Sequence, residues 1–380
     1  MMNLDDYNAE LADEKTLDEE NNDDEQYEKV TFQYDPDKIN ITTRQPTIEQ
    51  LLRRIDEAAL DLAPDFQRQA NIWNLDAKSK LIESLLIRIP LPAFYIDATN
   101  DDKWVVVDGL QRLSALKHFV SDKSEDRLKL SGLEYLTNLN GKTYDELELR
   151  YQRRILETQP TVYLIEKGTP TEVKYNIFKR INTGGVGLSN QELRHALNPG
   201  KANKFLRELA NYSEFIQVIP LSESKKKRMD DREFIVGYLA FMLTSYKDYK
   251  ENSRDVFLSE ALSKINDLND AELIKIKGRF KTAMLAAYDI FGENAFRKIS
   301  YKNNRKFPVN KSLFETWSVH LSKLNDKDIQ ILKKNKQKII EIFIQYVDSD
   351  KEFLASISQA AKKVEYRFEI IGKIIQEVLS

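Results

Sequence analysis

Residues 105–116 read VVVDGLQRLSAL. A β-branched run ends in Asp-Gly, and apolar residues then return at helical spacing through Leu113, Leu116, Phe119 and Val120. The pattern is a buried strand, a turn and a helix. Backbone N–H groups left open at such a helix start, together with the helix dipole, attract anions by ~0.3–1 kcal/mol when exposed. Gly109 permits a close backbone approach that a side chain would block. Arg112 is placed to offer a charge-assisted contact to a phosphate, and Asp108 to orient a ribose, a metal-bound water or Arg112 itself. The same spacing also describes an ordinary corner in which Asp108 caps the helix and pairs with Arg112.

Working outward, the chain alternates strand-like and helical segments on both sides of this corner. Upstream, PTIEQLLRRIDEAAL (46–60) is a helix with Thr47 as N-cap, and LAPDFQRQANIW (62–73) is extended. NLDAKSKLIESLLIRI (74–89) is a second helix, stopped by PLP at 90–92, and AFYI (93–96) is a strand. WVVV (104–107) is the buried strand that leads into the corner. Downstream, strand-like pieces around Leu128 and at TVYLIE (161–166) flank a helix at 144–157, and a further helix covers 170–182. From Leu188 onward the spacing is helical almost throughout, in segments near 189–197, 201–217, 230–247, 255–267, 271–291, 311–324, 326–347, 351–361 and 363–379. The fold class is therefore α+β: a mixed α/β domain over 29–200 and an α-helical domain over 201–380, with no internal repeat.

The first 28 residues carry twelve Asp or Glu and one Lys, a net charge of −11, within a 380-residue chain of net −3. The remainder is thus +8, since −3 + 11 = +8. A like-charged block of this kind reads as a disordered acidic tail, and a mildly basic body is compatible with nucleic acid. No apolar run approaches the ~18 residues of a membrane span, and the acidic start does not resemble a secretory signal. The sequence contains no cysteine, so disulfides, thiolate metal sites and cysteine nucleophiles are excluded. A reducing cytoplasm is the simplest location.

Two other stretches carry chemistry. In FKRINTGGVGLSNQELRHAL (178–197), Ser189 and Glu192 make an S-x-x-E capping box behind a loop containing Gly184, Gly185 and Gly187. Asn182 and Thr183 add hydrogen-bonding groups to that loop, and Arg180 and Arg194 flank it. The glycine spacing matches neither the Walker A loop nor the dinucleotide fingerprint. In PDFQRQANIWN (64–74), Gln67 and Arg68 lie beside Phe66 and Trp73, polar groups next to aromatic faces. Each stretch taken alone also fits a structural reading, a capped loop in one case and core aromatics in the other.

Taken together, IEQLLRRI, LAPDFQR, KLIESLLIRIPLPAFYI, VVVDGLQRLSAL and FKRINTGGVGLSNQELR resemble, in order and spacing, the N-terminal domain of GmrSD-type restriction proteins. That family carries a DGQQR motif and is placed in the ParB/sulfiredoxin-like superfamily. The resemblance covers about residues 45–200, and KKKRMDDREFIVGYLAF (226–241 and the lysine before it) extends it. It implies a bacterial DNA-restriction or anti-phage role. The implied activity is binding and hydrolysis of a nucleoside triphosphate with Mg2+, in partnership with DNA and a separate nuclease. Carried onto this chain, it assigns Asp108 and Arg112 to catalysis. Arg68, Gly109, Gln111, Arg180, Asn182, Glu192 and Arg194 become nucleotide- or nucleic-acid-binding residues, with no resident protein-bound metal. Two departures stand out: Leu110 where many members have a polar residue, and Gly237 where the helical motif commonly has Arg.

Alternatives to hydrolysis are a ParB-like nuclease cutting DNA through the same cleft, or a non-enzymatic DNA-binding or adaptor module. Many relatives add a His-metal finger nuclease. Here the only histidines are His118, His195 and His320, none in an H-N-H setting, and His320 reads as a helix-face residue in register with Leu313, Trp317 and Leu324. Sulfiredoxin chemistry is excluded for want of a cysteine. Lysine clusters at 225–228, 302–306 and 333–338 fit either a grip on DNA phosphates or solvated helix ends. Oligomeric state is left open by the sequence.

Overall fold

A computed structural model describes residues 38–62, 73–181, 189–198, 200–250, 254–303 and 305–380. The acidic segment 1–28, Arg68 and Asn182 lie outside the described residues, as do the glycines at 184, 185 and 187. The chain is α+β and divides into two compact units that meet at Leu197 and Asn198 in the sequence.

The N-terminal unit is built on a five-stranded sheet. Its elements are β1 (Ile41–Arg44), α1 (Ile48–Asp56), β2 (Leu60–Asp61), α2 (Leu75–Leu86), β3 (Phe94–Ala98), β4 (Trp104–Asp108), α3 (Leu110–Val120), α4 (Leu149–Glu157), β5 (Val162–Glu166), α5 (Thr171–Ile181) and α6 (Asn190–Leu197). The strand order is β1-β5-β3-β4-β2. β3 and β5 run parallel, as do β2 and β4, whereas β1–β5 and β3–β4 are antiparallel.

Local chemistry accounts for the helix boundaries. Thr47 caps α1 in a reciprocal box with Gln50, and Ile48, Leu51, Leu52 and Ile55 then point into the core. Asn74 caps α2 through the Ala77 amide. One sheet face is covered by α1, α2, α3 and α4, burying Phe94, Ile96, Val106, Leu113, Leu116, Phe119, Ile155, Val162 and Leu164. The other face is smaller. There Val107 and Ile165 pack against Tyr175 and Phe178 of α5 and Leu193 and Leu197 of α6.

The structure adds two strands that hydropathy does not mark, β1 and β2. It also removes one: the segment around Leu128 is not a strand. Leu128, Leu130 and Leu133 are buried there, but their backbone is tied down by isolated bonds, from the Leu128 amide to His118 O and from the Leu130 amide to Lys142 O. The helix at 144–157 begins as a 3-10 turn, Tyr144–Glu146, before α4.

The C-terminal unit is helical. Its elements are α7 (Lys201–Ala210), α8 (Ser213–Val218), α9 (Glu223–Lys227), α10 (Asp230–Leu243), α11 (Arg254–Asp267), α12 (Asp270–Phe291), α13 (Lys311–Lys323), α14 (Asp326–Lys334), α15 (Lys336–Ser349), α16 (Lys351–Ser358) and α17 (Val364–Leu379). The continuous helices read at 201–217 and 326–347 are each two, broken at 211–212 and at Asn335. α10 is buried on nearly every side and supplies Phe234, Tyr238 and Phe241 to an aromatic core with Phe280, Phe314 and Phe368.

Inside this core Glu315 of α13 is met by two guanidiniums. Arg367, fully buried, donates to its Oε2 at 3.2 Å, and Arg254 donates to its Oε1. Arg367 also donates to the carbonyls of Ser356, Ala360 and Lys362, closing the turn between α16 and α17. A Cβ on Gly237 would collide with Oε1 of Glu315. The glycine at this position makes room for the buried carboxylate.

Candidate functional site

Asp108 is the last residue of β4, and Gly109 turns the chain into α3 with φ +97°, a left-handed conformation that favours glycine. A side chain here would also strike the ring of Phe94. The residue before α3, Gly109, has no side chain with which to cap it. Asp108 does not act as the cap. Its Oδ2 instead accepts from Arg112 Nη2 at 2.8 Å, one turn along the helix.

Arg112 is almost fully buried. Beyond Asp108 it donates to Ala93 O at 3.1 Å and to Pro92 O, and its guanidinium lies 4.5 Å from the centroid of the Phe94 ring. Burial lowers its pKa, an effect that the Asp108 carboxylate opposes. Arg112 thus ties the 90–93 loop to the tip of β4 and fixes Asp108 from behind. The Asp108 side chain is 37% exposed, so it presents a carboxylate at the surface on a rigid mount.

α5 and α6 pack on β4, so the second motif meets the first in space. The capping box at the start of α6 is present: Ser189 N–H donates to Glu192 Oε2 at 2.6 Å, and Glu192 N–H donates to Ser189 Oγ at 3.2 Å. Gln191, Glu192 and Arg194 are fully buried, and Arg194 Nε donates to Gln191 Oε1 at 3.0 Å. Glu192 and Arg194 therefore sit inside the unit, whereas Arg180 on the last turn of α5 is exposed. Gln111 is half-buried in the first turn of α3.

Sequence reasoning missed two features of this unit. One is a buried ion pair, Lys174 Nζ to Asp97 Oδ2 at 3.1 Å, with Thr99 Oγ1 donating to Asp97 Oδ1 at 2.7 Å. It pins α5 to β3. The alternation of polar and apolar residues in FYIDA marks Asp97 as facing away from Phe94, but its partner is 77 residues distant. The other is Tyr95, which pairs in register with Asp108.

His320 and His118 each lie against a backbone carbonyl. Nε2 of His320 lies 2.9 Å from Phe368 O, and burial lowers its pKa. Nε2 of His118 lies 2.9 Å from Asp126 O. Among the described residues no group of three His, Asp or Glu is arranged to hold a metal. In the lysine clusters, Lys226 pairs with Glu223, Lys306 with Glu293 and Lys333 with Asp289. Among the described residues no helix is long and apolar enough to cross a membrane.

Residues 48–198 match the family model described as the GmrSD restriction endonuclease, N-terminal domain. The matched region, which holds strands β2 to β5, the Asp108 corner and α6, is similar to that domain. No curated protein and no solved structure matches the chain.

Proposed function

We propose that the N-terminal unit binds a nucleoside triphosphate at the Asp108–Gly109 corner and that the chain serves a restriction or anti-phage system alongside DNA and a separate nuclease. The observation that carries this reading is the corner itself: a carboxylate held rigidly by Arg112 beside a helix N-terminus entered through a left-handed glycine. The family match supports the restriction context.

In this reading the phosphates sit at the N-terminus of α3, where the helix dipole favours negative charge. Asp108 holds a phosphate-bound Mg2+ or the attacking water, because Mg2+ at nucleotide sites takes one or two protein carboxylates and completes its shell with phosphate and water. Arg112 acts through Asp108, since both of its terminal nitrogens already serve protein oxygens. Arg180 supplies the exposed cation for phosphate charge. Glu192 contributes by capping α6, and Arg194 by stiffening it through Gln191.

Turnover of nucleoside triphosphates by wild type, Asp108→Ala and Arg112→Ala tests the roles. The expected result is turnover by wild type and its loss in Asp108→Ala. Equal rates in all three would remove Asp108 and Arg112 from the reaction.

A further inference from the structure

One row of side chains crosses four strands on the sheet face away from α3. Pairing of β1 with β5 sets Thr43 against Tyr163, β5 sets Tyr163 beside Tyr95 of β3, and β3 sets Tyr95 opposite Asp108 of β4. The last member is there because the register shifts: Ile96 pairs with Val106 but Tyr95 pairs with Asp108, leaving Val107 as an extra residue. Without that bulge, Tyr95 would face Val107 and Asp108 would project to the other side.

The rings of Tyr95 and Tyr163 stack at 4.9 Å between centroids with 24° between planes. Both are half-buried, and among the described residues neither phenol oxygen makes a hydrogen bond. Asp108 Oδ1 is also without one among the described residues, its ion pair using Oδ2. Burial, with the neighbouring Tyr163 and Asp108, raises the pKa of the Tyr95 hydroxyl. Tyr95 packs against the small core that α5 and α6 form over Val107 and Ile165, whereas among the described residues Tyr163 belongs to neither core of this unit.

Two stacked aromatic rings with hydroxyl rims, next to a surface carboxylate, suit a planar heteroaromatic ring attached to a polyhydroxy group. We infer that Tyr95 and Tyr163 form the base platform of the nucleotide site, with Asp108 at the junction between the base and the phosphates at α3. This rests on the nucleotide reading above. Along the row Tyr95 lies between Asp108 and Tyr163, one strand spacing, about 5 Å, from each. Stacking on an aromatic face is tolerant of base identity, so purine and pyrimidine nucleotides bind comparably.

The test is calorimetry on the full chain with Mg2+, using ATP, CTP and inorganic tripolyphosphate as probes. Wild type is expected to bind both nucleotides more tightly than tripolyphosphate. Tyr95→Leu and Tyr163→Leu, which keep apolar bulk but remove the ring, should each weaken nucleotide binding by about ten-fold or more. They should leave tripolyphosphate affinity unchanged, and Tyr→Phe should recover what Tyr→Leu loses. Three results would overturn the platform: nucleotide affinity equal to that of tripolyphosphate in wild type, no loss in the Leu variants, or equal loss for every probe. If wild type binds none of the three probes, the nucleotide reading itself fails.

Discussion

Arg112 Nη2 lies 2.8 Å from Asp108 Oδ2, across one turn of α3. The pair joins the end of a strand to the start of a helix, and the same guanidinium holds two carbonyls of the preceding loop. Arg112→Lys keeps the charge but has neither the fork nor the flat face that lies over Phe94. It is expected to destabilise the N-terminal unit by about 2–4 kcal/mol, because carbonyls and a carboxylate lose a buried partner. Denaturant unfolding would show this as a lower midpoint. An unchanged midpoint would mean that the guanidinium contacts contribute nothing to the corner.

Gly109 stands on the same corner. Gly109→Ala meets both a positive φ and the ring of Phe94, so a cost of about 1–3 kcal/mol is expected. Phe94→Ala in the same background relieves the clash but not the φ. The double-mutant cycle therefore separates the two contributions.

In the C-terminal unit, placing a side chain at Gly237 displaces Glu315 from Arg254 and Arg367. Two buried guanidiniums then lose their shared carboxylate, at a cost of about 3–5 kcal/mol. Gly237→Ala and Gly237→Arg should both lower thermal stability markedly. Retention of wild-type stability in either would show that the core accommodates the change by moving Glu315.

Asp230 at the start of α10 has its pKa raised to about 6, chiefly by burial, with Lys311 opposing and Glu233 adding to the shift. The folded state therefore holds a proton that the unfolded state releases between pH 6 and about 4. The stability penalty of the ionised form is full above pH 6 and disappears as pH falls through that window. Asp230→Asn should stabilise the protein at pH 8 by on the order of 2 kcal/mol and give no gain at pH 4. A gain that does not depend on pH would assign the effect to something other than ionisation.

Much of this architecture is legible in the sequence, and the exceptions share a cause. Thr47, Asn74 and the Ser189–Glu192 box fix helix starts through local hydrogen bonds, and the buried run before Asp108 marks β4. β1 is ITTR, a mostly exposed edge strand with no apolar alternation to read, and β2 is a two-residue bridge to β4. Both exist because a partner strand is there. The Leu128 segment fails the other way: its leucines are buried by a loop, not by a ladder. Asp108, Gly109 and Arg112 stand out as a motif, but the row through Tyr95 and Tyr163 depends on strand order and on one extra residue at Val107. Neither leaves a local trace.

The measurement that bears most directly on the central claim is titration of a nucleoside triphosphate with Mg2+ into wild type and Asp108→Asn. The amide keeps a hydrogen-bond acceptor for Arg112 but removes the charge that offsets its burial, so the variant should melt below wild type, and the titration is made at a temperature where both are folded. Wild type should show saturable one-site binding, and Asp108→Asn at least a ten-fold weaker affinity. Equal affinities in the two proteins, or no binding by wild type, would contradict that claim.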